Sequence, residues 1–308
     1  MPQKVLIIAD PGIDGAYAIA LAVHDPRLDV VAIAATAGNV SAEQATRNVH
    51  TLLEQIDPPR WPRLGASLPV DYEVDGQRMH GIGGLGGVDF PSAKLHHPHY
   101  SDKLIVDLVR QNPREITILV LGPLTMLARA LDRDPELPRL VPRIVCMGGS
   151  WHEPGNATAV AEFHFFCDPL AARQVLHCGA SITLIPLDVS RKLLLSPTEL
   201  LELPAPESRT CRLLRQIVPF GIGATSNRYG IEGFYLMDVA GVAAVSLTGL
   251  LTTRPMPVDV ETRGELTRGM SVVDARLGTR ATPNVDLAIG IDLEGVRQYL
   301  RATLADAC

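Results

Sequence analysis

The chain has no run of Lys and Arg, no apolar stretch long enough to span a bilayer and no pair of cysteines in CxxC spacing. Each absence removes a class of function. A domain that grips phosphates carries a basic patch or stripe, whereas 28 Lys and Arg here face 34 Asp and Glu, a net charge of −6. A membrane span takes ~18 or more consecutive apolar residues. The N-terminus offers one lysine and a single short apolar run, Val5–Ala9, before Asp10, which falls short of a secretory signal core. The five cysteines (Cys146, Cys167, Cys178, Cys211, Cys308) are odd in number, so neither a disulfide framework nor a zinc ribbon is expected. Gly83-Gly84-Leu85-Gly86-Gly87 does not join a strand to a helix, so it is no dinucleotide fingerprint. The expectation is a cytoplasmic protein with a small-molecule substrate and no nucleic-acid or membrane partner.

What is present is a chain built for a core: 308 residues, 46% of them hydrophobic. That length admits two domains of ~150 residues each, but no repeat, low-complexity tract or Pro/Ser-rich linker divides it, so one domain over 1–308 is expected. Continuous apolar runs at 5–9, 30–36, 116–121, 144–147 and 182–187 read as strands buried on both faces. Segments of helical spacing lie among them, at 16–24, 42–55, 103–110, 125–131 and 169–177. The alternation predicts an α/β fold: Rossmann-like, with a mostly parallel central sheet flanked by helices. Two loop-rich stretches, 57–98 and 149–166, are long for connectors, and long loops in compact domains are often functional.

In an open parallel sheet, ligands bind outside the carboxyl ends of the strands. The residues there are Asp10-Pro11-Gly12-Ile13-Asp14, Ala37-Gly38-Asn39, Gly122-Pro123-Leu124-Thr125, Gly148-Gly149-Ser150 and Asp188-Val189-Ser190. Taken singly, each has a plain structural use, since Asp caps helices and Gly serves tight turns. Together they gather carboxylates, an amide and backbone carbonyls on one rim.

Those residues carry a resemblance. The segment Val5-Leu6-Ile7-Ile8-Ala9-Asp10-Pro11-Gly12-Ile13-Asp14 resembles the DxDPGxDD opening of the inosine-uridine-preferring nucleoside hydrolase family. Ala37-Gly38-Asn39 with Arg47-Asn48, then His80-Gly81 with Gly84-Leu85-Gly86, are similar to its next two blocks. Leu121-Gly122-Pro123-Leu124-Thr125, Met147-Gly148-Gly149, Gly155-Asn156, Ala161-Glu162-Phe163, Asp168-Pro169, Pro186-Leu187-Asp188-Val189 and the late Asp238 follow in the family's order.

The resemblance implies hydrolysis of the N-glycosidic bond between a base and ribose, through an oxocarbenium-like state. It implies a calcium ion holding the attacking water and the ribose diol, a hard cation served by ~6–8 oxygen ligands. Carried over, Asp10 is metal ligand and general base, Asp238 a catalytic residue and metal ligand, and Thr125 a ligand through its carbonyl. Asp14 meets the ribose hydroxyls, Asn156 and Glu162 the far hydroxyl, and Asn39 orients the acids. Family members are commonly dimers or tetramers, so a homo-oligomer is expected.

The sequence departs from that pattern at the same site. Ile8 and Gly15 stand where the family has its first and last acids, and Gly15 replaces a usual calcium ligand. His164 takes the place of an asparagine, Met237 that of a histidine before the late aspartate, and Met126 that of an asparagine. Asp10, Asp14 and Asp238 remain as clustered acids, which predicts weak or altered calcium dependence. Two alternatives stay open: a metal-independent hydrolase of a modified nucleoside, using His164 or His80, and a non-catalytic nucleoside- or ribose-binding protein.

For the base, Trp151, Phe163, Arg228 and Tyr229 suit stacking on a flat heterocycle, within discriminating loops expected at 71–90 and 220–237. His80 reads equally as a base contact or as loop packing. His96, His97 and His99 lack the spacing of a helical zinc pair and read as a solvated loop. Cys167 reads as an inert buried thiol, Asp168 as a helix cap and Asp188 as a support behind the site.

Overall fold

A computed structural model describes residues 1–70, 72–91 and 99–307. From the N-terminus, β1 (Gln3–Ala9) leads through α1 (Ile13–His24) to β2 (Leu28–Ala35), and α2 (Ala42–Ile56) leads to β3 (Arg63–Ala66). A helical turn, α3 (Gln77–His80), and a short β4 (His99–Tyr100) precede α4 (Ser101–Gln111), β5 (Ile116–Leu121), α5 (Thr125–Arg133), α6 (Leu137–Leu140) and β6 (Ile144–Met147). Then come α7 (Phe163–Cys167), α8 (Pro169–Leu176), β7 (Ile182–Ile185), α9 (Leu187–Ser190), β8 (Leu194–Leu195) and α10 (Pro197–Leu201). The last third holds α11 (Arg209–Tyr229), β9 (Phe234–Tyr235), α12 (Met237–Ser246), β10 (Leu251–Met256), β11 (Val258–Val260), β12 (Ser271–Val273), β13 (Val285–Ile291) and α13 (Leu293–Ala305).

The main sheet has nine strands in the order β10-β13-β7-β6-β5-β1-β2-β3-β4. Every neighbouring pair in it is parallel except β10 with β13. Helices cover both faces, because β1 sends its side chains alternately two ways. Val5, Ile7 and Ala9 join a core with α1, α2, α11 and α12, whereas Leu6 and Ile8 join one with α4, α5 and α8. The strands β5, β6 and β7 are buried at every residue, as sandwiching between two helical layers requires. The strand order reverses beside β1, between β2 and β5. A doubly wound sheet opens its ligand crevice at such a point.

Local chemistry sets the boundaries. Ser41 caps α2, Asp168 caps α8 ahead of Pro169, and Ser208 caps α11, each side chain accepting a first-turn N–H. Ser196 and Glu199 close a reciprocal capping box on α10. The strand expected to reach residue 187 stops at Ile185, because Pro186 has no N–H to extend the ladder and Leu187 opens α9. The long 57–98 stretch contains β3 and α3. His99 starts the exposed β4, and His96 and His97 lie outside the described residues.

Two packing details bear on the site. α1 and α12 pack together and both are rich in small residues, and a Cβ on Gly15 of α1 would lie 3.2 Å from Asp238 Oδ2 on α12. A Cβ on Gly241 would come within 2.8 Å of Leu121 Cδ2 on β5. At the far end of α1, the Asp25 carboxylate accepts hydrogen bonds from Arg27 (backbone N 2.9 Å, Nε 2.8 Å), Tyr299 Oη (2.9 Å) and Ser246 Oγ. One buried acid thus ties α1 to α12 and α13. Burial alone would raise its pKa, but these donors carry it below the ordinary value.

Candidate active site

The carboxyl ends of the central strands open into a cavity of ≈ 390 Å³. Its floor is acidic. Asp10 follows β1 and is almost completely buried, with 1% of its surface exposed. Its Oδ2 accepts the Asn39 backbone N–H at 2.7 Å, while Asn39 Nδ2 donates to the Asp10 carbonyl at 3.1 Å. Its Oδ1 is buried with no hydrogen-bond partner. Gly38 and Gly122 lie against this carboxylate, and a Cβ on Gly122 would sit 2.7 Å from Oδ1. These strand-end glycines are therefore small to admit the acid, a reason beyond turn-making. Burial, reinforced by the Asp14 charge, pushes the Asp10 carboxyl up to about 7 against the opposing pull of His164 and the Asn39 amide.

Asp14 and Asp238 occupy the first turns of α1 and α12, where helix N-termini favour negative charge. Both are buried and line the cavity, and Asp14 Oδ1 also has no hydrogen-bond partner. Burial, then the charges of Asp14, Asp10 and Glu162, hold Asp238 well above the usual carboxylate range. Glu162 caps α7: Oε1 accepts from His164 N (3.0 Å), and Oε2 accepts from Gly149 N (3.1 Å) and Phe165 N (3.1 Å). Asn156 Oδ1 accepts from Phe163 N at 2.8 Å, which leaves its amide N–H groups to donate.

Two histidines flank the acids in different states. His80 Nδ1 accepts the Ile13 N–H at 3.1 Å, supplying the side-chain cap that Gly12 cannot give α1. A nitrogen that accepts an N–H is unprotonated, so its 3.8 Å approach to Asp14 Oδ1 is no ion pair. Burial accordingly lowers the His80 pKa. His80 thus packs under Gly12, and it also lines the cavity. His164 is the opposite case. Burial alone would lower it, but Glu162 and Asp10 raise it above the ordinary value.

The lining also includes apolar and aromatic side chains: Phe163, Tyr229, Phe234, Tyr235, Met79 and Met237. Arg228 leans over the Tyr229 ring, 5.5 Å from its centroid, and donates to the Asn156 carbonyl at 3.3 Å. Asp14, Asn39, His80, Asn156, Glu162, Phe163, His164, Arg228, Tyr229 and Asp238 all line the one cavity, with Asp10 beneath it. Trp151 does not line it; it packs partly buried on the other core. The stretch 220–237 is not all loop, since α11 continues to Tyr229. Sequence reasoning missed Phe234 and Tyr235, although aromatics directly ahead of Met237-Asp238 were a usable signal.

The donor set does not fit a calcium ion. Thr125, expected to ligate through its carbonyl, lies outside the cavity lining as Asp10 does, and its hydroxyl donates to Asp168 Oδ2 at 2.7 Å. At Gly15 a Cβ would lie 3.2 Å from Asp238 Oδ2, so an oxygen is missing where one would face that acid. The bare oxygen of Asp10 faces His164 Nε2 at 3.8 Å, and an ion and this ring would compete for one position. Among the described residues, no group of three or more His, Cys, Asp or Glu is arranged to hold a metal. Cys167 is inert in this setting, its thiol raised well above the ordinary value by burial. Asp188 accepts from the backbone N–H groups of Trp151, His152 and Glu153, fixing the loop after β6.

The family model described as inosine-uridine preferring nucleoside hydrolase matches residues 5–298. The non-specific ribonucleoside hydrolase RihC of Escherichia coli is 34% identical over 310 residues, covering 99% of each chain. Uridine nucleosidase 1 of Arabidopsis thaliana is 34% identical over 313 residues, 98% of this chain and 93% of its own. Among solved structures, the plant nucleoside hydrolase PpNRh1 superposes with a TM-score of 0.92 at 29% identity, covering 99% of each chain. A purine-preferring ribonucleoside hydrolase from Gardnerella vaginalis gives 0.90 at 26% identity, over 98% of this chain and 99% of that one.

Proposed function

The chain belongs to the inosine-uridine preferring nucleoside hydrolase family, and from that membership we propose that it hydrolyses the N-glycosidic bond of a ribonucleoside or related ribosyl compound. Base and ribose are the products, and 1–308 acts as one domain. The observation that carries this reading is the buried, unpartnered Oδ1 of Asp10 beside a cavity lined by both acidic and aromatic side chains. A ribose ring gaining positive charge is stabilised by the neighbouring carboxylates Asp14 and Asp238, and a water beside Asp10 Oδ1 finds a base there. The Asp10 carboxyl, at about 7, is poised for proton transfer near neutral pH.

The polar wall suits the sugar: Asp14 for the ribose diol, and the Asn156 amide with Glu162 for the far hydroxyl. His164 lies against the same side, and Asn39 steadies Asp10. The base fits the aromatic wall, with Phe163, Tyr229 and Phe234 offering ring faces and Arg228 and His80 offering donors. Met237 supplies no proton to the departing base. Any calcium dependence is weak, given the shortened donor set. The test is a nucleoside panel (uridine, cytidine, inosine, adenosine) assayed for released base and reducing sugar. Release from at least one member is expected, and no release from any refutes the reading.

A further inference from the structure

Beside the cavity, the outer face of α11 carries a second recess of opposite charge. The helix buries Leu213, Leu214, Ile217, Val218, Gly221 and Thr225, which turns Phe220, Gly223, Ala224 and Asn227 outward at helical spacing. With Arg78 from α3 and Arg228, these residues line an open groove of ≈ 480 Å³. From Phe220 to Arg228 it runs ~12 Å along the helix axis. Its middle is open because Gly223 has no side chain, and a Cβ there would meet nothing within 4 Å. Arg78 and Arg228 line both the groove and the cavity, so the two recesses meet at these side chains. Arg228 contacts the Asn156 carbonyl and the Tyr229 ring, and among the described residues neither arginine is paired with a carboxylate. Asp14, Glu73, Asp75, Glu162 and Asp238 line the cavity, whereas among the described residues no acid lines the groove.

We propose that the groove holds an acidic arm of the substrate's base, so that the preferred substrate is a ribonucleoside whose base bears a short chain ending in a carboxylate. The inference rests on the nucleoside-hydrolase reading above and names the substrate class of that same site. Tyr229 closes α11, so a base against its ring has Arg228 beside it and the groove beyond. A carboxylate there meets two guanidinium forks, whose N–H groups match its two oxygens, and the Asn227 amide as a further donor. The methylenes of the arm lie along Phe220, which is 41% exposed. The acids of the cavity repel the same carboxylate, which sets the direction of the ligand: sugar towards Asp14 and Asp238, arm towards α11. A phosphate on the far ribose hydroxyl is the poorer match, because it would face the Glu162 charge. The arm takes no part in bond breaking and leaves with the base.

The experiment compares uridine and adenosine with derivatives bearing a carboxymethyl arm on the base, at C5 or N6, and with their neutral carbamoylmethyl amides. Initial rates give kcat/KM and calorimetry gives Kd. In at least one series the acid should exceed both its amide and the plain nucleoside about tenfold in kcat/KM, the scale of a charge-assisted pair. Gly223→Leu fills the groove and suits a helix interior, so it should bring the acid-to-amide ratio close to one while uridine and adenosine keep their rates within about twofold. Arg78→Ala should lower the same ratio to within about twofold of one, and it decides alone if the leucine variant also slows the plain nucleosides. An acid no better than its amide in either series, or a preference that survives these substitutions, overturns the inference and leaves nucleoside hydrolysis standing. A preference for uridine 5′-monophosphate over the acid overturns it as well. If no compound is turned over, the proposed function falls and binding decides: an acid bound about tenfold more tightly than its amide supports the groove, and equal or absent binding overturns it.

Discussion

Replacing Asp10 with asparagine separates chemistry from stability, and the two readouts should move in opposite directions. The carboxyl is raised from 3.8 to about 7, chiefly by burial. An acid whose folded pKa exceeds its unfolded value binds more protons when folded, so stability falls as pH rises between those two values. About three units at 1.36 kcal/mol each come to about 4 kcal/mol withheld from the native state above pH 7. Asp10→Asn keeps the shape and an acceptor for the Asn39 N–H while removing the charge. Over 308 residues, at ~2.1 cal/mol/K each, that energy corresponds to a rise in Tm of about 6 °C at pH 8. The gain should shrink towards zero by pH 4, where the wild-type acid is protonated too. Over the same range kcat should fall by about 10²–10⁴-fold, and the wild-type rate should drop about tenfold per pH unit below 7. Melting curves from pH 4 to 8, paired with initial rates, test both. A variant no more stable than wild type at pH 8, or a gap that does not change with pH, refutes the account of the buried charge.

Other substitutions probe the surrounding supports. Asp25→Ala strips acceptors from Arg27, Ser246 and Tyr299 and should cost about 2–3 kcal/mol in urea unfolding at pH 7. Because the folded pKa of Asp25 is depressed, its contribution is fully present above the ordinary value of 3.8 and lost as pH falls through the lowered folded value, so the gap between mutant and wild type should narrow as pH falls below 3.8. His80→Ala leaves the Ile13 N–H without its acceptor and should destabilise by about 1–3 kcal/mol, read from the same curves. Arg228→Ala loosens the Tyr229 wall, and the expected outcome is a KM about 2–5-fold higher with kcat little changed, in line with a cation–π contact of ~0.5–1 kcal/mol.

Much of this was legible in the chain because the central strands are continuous apolar runs. β5 and β6 have their expected bounds, and Asp14, Asn39, Gly148 and Ser190 from four of the strand ends line one cavity, whereas the Gly122–Thr125 group does not. The C-terminal strands were harder to see. β10 is half-exposed and carries Arg254 and Pro255, so it lacks the buried-strand signature and exists by pairing with β13. The site's electrostatics were hidden for a related reason. That Asp10 lies beneath the cavity while His164 lines it, and that His80 is neutral because it caps a helix, depends on burial and partners from distant segments. Spacing along the chain names the participants and leaves their protonation to the fold.

The small-residue seam between α1 and α12 has an effect well beyond packing. Asp14 and Asp238 open these two helices, so the distance between the acids is governed by how closely the helical rods lie along their alanines and glycines. A methyl added one turn down α12, at Gly241, would push against Leu121 and Met147 of the sheet and so shift the helix that carries Asp238. Mutations that tune this site therefore need not touch it, and a survey confined to the cavity lining would overlook the residues that set its gauge.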